Sequence, residues 1–185
     1  MLTIKNNNSQ SRNSSKQLYV LDASAIYNGI LSHNLPGYKF LPECVISEIR
    51  DMIRGEALIE EALLYDDLRI VSTEVGYIKK VKQIAGETGD IQELSECDLS
   101  VIAVALGIVE QNKSVMIVSD DYDIQNLANY MKIPCRGVHW KGITSIHKYH
   151  WVCPACKTVS SEKRSYCLEC GTEMKRKTLK KKLRK

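Results

Sequence analysis

Apolar positions along this chain recur at two periods that alternate with one another. "QLYVLD" (17–22), "LRIVS" (68–72), "VMIVS" (115–119) and "IPCRGV" (133–138) read as short strands, with Val115 to Val118 a wholly apolar, buried run. Between them lie stretches with helical spacing: "ASAIYNGIL", "LPECVISEIRD" (41–51) with Val45, Ile46 and Ile49 on one face, "EALIEEALLYDD", "EVGYIKKVKQIAGETGD" and "DIQNLANYM". Pro42 falls where a first helical turn tolerates it, and Gly86 or Gly89 should end the fourth of these helices. "LSECDLSVIAVALGIVEQN" (94–112) is apolar nearly all round and reads as a long buried helix starting near Ser95. Strands alternating with helices predict an α/β fold over 17–140, a mostly parallel central sheet flanked by helices. No internal repeat is visible. Residues 1–16, rich in Asn and Ser and without periodicity, read as a disordered leader or a start-site extension. From Trp140 onward Lys, His, Tyr and Cys replace the apolar periods, so 141–150 reads as a linker to a second, smaller unit.

Composition adds an asymmetry. The 185 residues suffice for one domain with a real core plus a small module. The last eleven residues, "KRKTLKKKLRK", hold eight Lys or Arg and no acid, whereas the remainder carries 18 basic against 22 acidic residues, so the formal +4 resides in the tail. An acidic body suits cations and a basic tail suits polyanions. No signal peptide or membrane partner is expected: the longest apolar stretch, "VIAVALGIV" (101–109), falls far short of the ~18 residues of a span. Seven cysteines rule out a full set of intrachain disulfides. Cys44, Cys97 and Cys135 read as buried thiols, and the four grouped ones as metal ligands in a reducing, cytoplasmic setting.

The third strand runs straight into Ser119, Asp120, Asp121 and Asp123. Two carboxylates about 4 Å apart repel by roughly 1 kcal/mol in water and by about 4 kcal/mol at an effective dielectric of 20. Asp22 ends the first strand, and in a parallel sheet ligands bind beyond the carboxyl ends near a switch point, so both acidic groups should emerge at one edge. Glu48 and Asp98 lie beside core-facing stripes of their helices. Meeting in one crevice, such carboxylates form an oxygen-rich site for a hard cation, Mg²⁺ or Mn²⁺. Each has a local use as well: Asp98 completes a Ser95-x-x-Asp98 capping box, Asp22 and Asp123 can cap helices, and Glu48 can sit on a solvated face.

"LYVLDASAIYNG", "LPECVISEIRD", "SECDLSVIAVAL" and "MIVSDDYDIQNLA" resemble, in order, the four acidic motifs of PIN-domain ribonucleases, over roughly residues 17–140. The resemblance implies a PIN-like nuclease domain in which Asp22, Glu48, Asp98 and an acid of the 120–123 cluster hold Mg²⁺ or Mn²⁺ for hydrolysis of an RNA phosphodiester. The PIN pattern, a hydroxyl followed by acids two and four positions on, selects Ser119, Asp121 and Asp123, with Asp120 as the alternative to Asp121. Ser119 would orient a ligand or water, no His or Cys nucleophile is needed, and cleavage should leave a 5′-phosphate and a 3′-hydroxyl.

"CPACKTVSSEKRSYCLEC" pairs Cys153-x-x-Cys156 with Cys167-x-x-Cys170, two knuckles that together make a tetrahedral Zn²⁺ site. Four thiolates leave no open position, so this zinc ribbon (151–173) is structural, and its fold depends on the ion. Lys163 and Arg164 in the ribbon, and Lys175, Arg176, Lys177, Lys180, Lys181, Lys182, Arg184 and Lys185 in a solvated tail (174–185), are candidate RNA contacts. Leu179 and Leu183 would allow that tail a short basic helix on binding. Trp140 and Trp151 either stack on bases or pack the seam between the units. A PIN-like domain followed directly by a four-cysteine ribbon resembles the Nob-type endoribonucleases of small-subunit ribosome biogenesis, in their compact archaeal form, over about 17–173. That resemblance implies maturation of the 3′ end of 16S rRNA, with precursor small-subunit rRNA and the pre-ribosomal small subunit as partners. A toxin-like PIN ribonuclease and a non-catalytic RNA-binding assembly factor are the rival readings.

Overall fold

A computed structural model describes residues 16–32, 35–51, 54–64, 68–88, 91, 93–138, 145–162 and 164–182. The leader expected at 1–16 lies outside them except for Lys16. Five parallel strands form the main sheet in the order β3-β2-β1-β4-β5: β1 (Leu18–Leu21), β2 (Tyr38–Pro42), β3 (Leu68–Val71), β4 (Val115–Val118) and β5 (Cys135–Arg136). The chain builds β1 to β3 toward one edge and β4 to β5 toward the other, so the switch point lies between β1 and β4.

Helices α1 (Ala23–Tyr27), α2 (Glu43–Arg50), α3 (Gly55–Leu63), α4 (Val75–Thr88), α5 (Glu96–Glu110) and α6 (Tyr122–Tyr130) make the connections. Ten of the fifteen residues of α5 are buried, as its continuous apolar sequence requires, and it packs against β1, β2 and β4. That makes α5 the centre of the core, so the Asp98 it carries is set by the same packing that folds the sheet.

Two sequence expectations change here. β2 was not expected as a strand, and Pro42 ends it instead of entering the first turn of α2. Gly37 starts β2 at φ +134°, and a Cβ there would lie 2.1 Å from the Gln17 carbonyl oxygen, which accepts the Tyr38 N–H at 3.0 Å. Only glycine permits that approach, which sets the β1–β2 register. Gly86 does not stop α4, which continues to Thr88, and Gly89 lies outside the described residues.

The second sheet has the order β7-β6-β8, from β6 (Ser145–Val152), β7 (Val159–Ser160) and β8 (Lys175–Lys182). β6 and β8 pair antiparallel from Ser145↔Lys182 to Val152↔Lys175. The linker expected at 141–150 is therefore strand from Ser145 on, and the tail expected to be solvated, or helical when bound, is strand from Lys175 to Lys182. Ladder hydrogen bonds need only the backbone, and at a sheet edge lysine heads can reach water, so a cationic run is no bar to pairing. Residues 141–144 and 183–185 lie outside the described set. Trp151, Cys153, Cys167 and Met174 form a small separate core, so Trp151 packs inward, and Trp140 is not among the described residues. β6 also packs against α6 and α4, which joins the two sheets. Among the described residues no helix is long and apolar enough to cross a membrane.

Candidate active site

The acids collect at the switch point because each sits where an element starts or ends there. Asp22 follows β1, is 5 % exposed and caps α1. Its Oδ1 accepts the Ala23 N–H at 2.7 Å, and its Oδ2 accepts the hydroxyls of Ser24 at 2.6 Å and Ser119 at 2.8 Å. Ser119 is fully buried at the end of β4, and its hydroxyl oxygen also accepts the Asp121 N–H at 3.0 Å. One hydroxyl thus couples the first acid to the segment that carries the last.

The Asp120/Asp121 alternative separates on hydrogen bonds. Asp120 Oδ1 accepts the Val138 N–H at 2.9 Å and its Oδ2 accepts Asn28 Nδ2 at 2.7 Å, so both oxygens tie α1 and the end of β5 to the strand edge. Asp121 caps α6 through Oδ1 alone, taking the N–H groups of Asp123 at 2.6 Å and Ile124 at 3.3 Å, and no donor among the described residues reaches its Oδ2. Asp123, expected as a possible cap, stands inside the first turn of α6. Asp98 likewise closes the capping box, its Oδ2 accepting the Ser95 N–H at 2.7 Å, which leaves Oδ1 unclaimed by the described residues. Capping and ligation are therefore compatible: a carboxylate has about four acceptor sites, and a cap uses one oxygen.

The electrostatics show that the acids share one space. Burial, then Asp98 and Asp22, push the Glu48 carboxyl above its ordinary value. Burial raises Asp98 against the lowering effect of its Ser95 hydrogen bonds, with Asp22 and Asp121 adding to the rise. Burial and Asp121 raise Asp123, while Arg176 of β8 pulls it down. Like-charge repulsion thus links acids carried by β1, α2, α5 and the end of β4: Glu48 with Asp98 and Asp22, and Asp98 with Asp22 and Asp121. Among the described residues, the four cysteines are the one group of three or more His, Cys, Asp or Glu side chains gathered closely enough to hold an ion, so the acids do not form a tight cage.

Ser24, Asn28 and Cys44 were not foreseen as parts of this region. Asp22-x-Ser24 is a local turn signal that could have flagged the serine, whose hydroxyl also accepts the Asp120 N–H at 3.0 Å. Cys44 and Cys97, expected as thiols, are joined as a disulfide between the first turns of α2 and α5. Cys135 remains a free thiol, which burial pushes up to about 12.

The other cluster is compact. The sulfur atoms of Cys153 and Cys170 are 3.4 Å apart, and those of Cys156 and Cys167 3.5 Å. A zinc–sulfur bond of about 2.3 Å in a tetrahedron implies edges of about 3.8 Å, so four thiolates at this spacing fit the ion. The two knuckles are built alike. Lys157 (φ 65°) and Gly171 (φ 69°) turn the chain just after the second cysteine of each pair. The hydroxyl of Thr158 lies 3.1 Å from Cys156 Sγ and that of Thr172 3.4 Å from Cys170 Sγ. Those hydroxyls lower both thiols, Cys156 to about 6, which favours the ligating form.

Of the cations expected to meet RNA, Arg176 is the best placed. Its guanidinium lies 3.6 Å over the Tyr149 ring and pairs with Glu93 at 3.4 Å, just ahead of the Ser95 cap. Arg164 pairs with Glu162 at 3.5 Å, and Lys175 and Lys177 are exposed. The side chains of Lys180, Lys181 and Lys182, and the whole of Lys163, Arg184 and Lys185, lie outside the described set.

A family profile described as "PIN domain of ribonuclease" matches residues 19–108. That fixes the class. Among curated proteins, the chain is 33 % identical over 168 residues to Endoribonuclease Nob1 of Methanocaldococcus jannaschii, covering 90 % of this chain and 80 % of the relative. It is 33 % identical over 160 residues to Endoribonuclease Nob1 of Methanothermobacter thermautotrophicus, covering 85 % and 91 %. Ribonuclease VapC1 of Thermoplasma acidophilum is 34 % identical over 159 residues, covering 86 % and 77 %. The chain belongs to the PIN-domain ribonucleases, and within them to the Nob-type endoribonucleases, and it carries a C-terminal cluster of four cysteines. It is a nuclease acting on RNA.

Proposed function

We propose that the protein is a divalent-metal-dependent endoribonuclease that cuts precursor small-subunit rRNA to form the 3′ end of 16S rRNA. The observation that carries the catalytic half is the repulsion among Asp22, Glu48, Asp98 and Asp121, which together with burial holds Glu48 and Asp98 above their ordinary values. The rRNA substrate rests on the Nob-type resemblance.

Mg²⁺ or Mn²⁺, held by those four carboxylates, would supply an activated water and offset charge on phosphorus and the leaving oxygen. The chain's own part is preorganisation. Ser119 and Ser24 hold Asp22 by hydroxyl donation, and the two caps fix one oxygen each of Asp98 and Asp121, which would leave the second oxygens free to hold the cation. Ser119 is fully buried, which suits an orienting role and not attack on RNA. Tyr122, 71 % exposed between Asp121 and Asp123, offers a flat face to an unstacked base at the rim. A structural Zn²⁺ in the cysteine cluster would hold the module whose strand β8 carries Arg176, the charge of which acts on Asp123.

The test is incubation of the purified protein with RNA spanning the small-subunit 3′ junction and Mn²⁺, with both new ends mapped. One cut at the mature end, leaving 5′-phosphate and 3′-hydroxyl, is the expected result. Asp22→Asn should slow it by more than about 100-fold, since even outer-shell partners of a metal contribute 10–100-fold. Similarity to Ribonuclease VapC1 favours a second reading, a toxin-like ribonuclease. Cleavage of unrelated RNAs as fast as the junction would support that reading against rRNA maturation.

A further inference from the structure

Three of the four converging acids are held by hydrogen bonds: Asp22 by its cap and two hydroxyls, Asp98 by Ser95, Asp121 by the N–H groups of α6. Glu48 is the exception, because no described donor bonds its carboxylate and only burial and the charges of Asp98 and Asp22 act on it. Its place is set by α2 alone. Apolar burial docks that helix through Val45 and Ile49, both at most 1 % exposed, but such contacts are non-directional and tolerate a small slide or roll. Among the described residues one covalent link ties it down. Cys44, in the first turn of α2, is bonded to Cys97, the residue before Asp98 in the first turn of α5. Cys44 and Glu48 are four residues apart on the same helix, so they share a face. The link therefore pins to α5 the face of α2 that carries Glu48, and pins it beside the acid it must meet.

We propose that the Cys44–Cys97 disulfide is a positioning device for the cation site: it sets Glu48 against Asp98, and opening it loosens the site without unfolding the domain. The proposal rests on the cation-binding reading of the four acids. Asp22 and Asp121 are held by β1–β4 pairing and by Ser119, which the bond does not touch, so its opening acts on one ligand of the four. Reductive opening is balanced with a water-soluble phosphine. The S–S bond takes up two electrons and two protons to give two thiols, while phosphorus takes oxygen from one water and becomes the phosphine oxide. Such a reductant spares zinc that a dithiol would chelate.

The experiment starts with thiol titration of the full chain in denaturant and chelator: five thiols with the bond closed, all seven after phosphine. Mn²⁺ affinity is then measured calorimetrically, without RNA, on the closed and opened forms. Opening should weaken binding by about tenfold, the lower end of what outer-shell partners of a metal contribute. Cys44→Ser should match the opened form and ignore the phosphine. In Glu48→Gln the phosphine should no longer change the affinity, a result that a general loosening of the fold would not give. Seven thiols before reduction, equal affinity of the two forms, or the same loss in Glu48→Gln each overturn the proposal. No Mn²⁺ binding by the closed wild type would overturn it together with the cation reading, and is visible before any bond is opened.

Discussion

The protein gathers like charges in two places and holds them together in opposite ways. The acids of the crevice sit on a sheet and a central helix whose burial would fold them whether or not a cation is present, and they repel one another at a distance. The four sulfur atoms lie within 4.8 Å of one another, in a module whose own core is Trp151, Cys153, Cys167 and Met174, two of them members of that cluster. One site is a product of the fold, and the other is the fold's main cohesive element. On the proposed function the difference has a reason: a site that must admit a phosphate and water would stay open, whereas one that only cross-links would close around its ion.

The sharpest way to break this contrast is to remove one ligand from each side. Cys153→Ser should release one zinc equivalent and, because structural zinc contributes on the order of 10–16 kcal/mol, abolish order in the knuckles. The parallel sheet should melt close to its original temperature. Metal analysis with hydrogen exchange reads both, and a sheet that melts with the module would make the two regions one cooperative unit.

A smaller effect distinguishes the neighbouring aspartates. Asp120→Ala loses the Asn28 and Val138 bonds and should destabilise the domain by about 2–3 kcal/mol, yet leave cleavage by the folded fraction unchanged. Asp121→Ala loses only a helix cap, about 1 kcal/mol, but should lower cleavage more than 100-fold. Denaturation curves beside single-turnover rates test the pair, and the opposite pattern would restore Asp120 as the ligand.

The least effect is that of pH. Glu48, Asp98 and Asp123 are raised in the folded, metal-free protein, so between their unfolded and folded values the native state binds more protons than the unfolded one. Stability should therefore fall as pH rises from about 4 through the raised values, and level off above them, the reverse of a salt-bridged acid. Saturating Mn²⁺ should flatten or invert the slope. Melting temperatures across that range, with and without the ion, decide it.

What the sequence could tell reflects which interactions are local. Caps, β1 and β4, the buried helix α5 and the Cys-x-x-Cys pairs are written in neighbouring residues, and each is legible as such. β2 was hidden because Lys39 interrupts its apolar run, although that residue is only 4 % exposed, and because Pro42 suggests a helix start. β8 was hidden because a lysine run reads as solvated until a partner strand exists. The choice between Asp120 and Asp121 depends on Val138 and Asn28, and the disulfide joins residues 53 apart, so neither leaves a local trace.

β8 also has a colloidal consequence. It is the outer strand of its sheet, and an outer strand presents unpaired N–H and C=O groups on which a second copy could build. A run of lysines along that edge makes such stacking electrostatically unfavourable, because each added strand would lay like charge beside like charge. The residues proposed to meet RNA thereby keep the strand from becoming an aggregation template. Variants that neutralise several of them should lose solubility along with affinity.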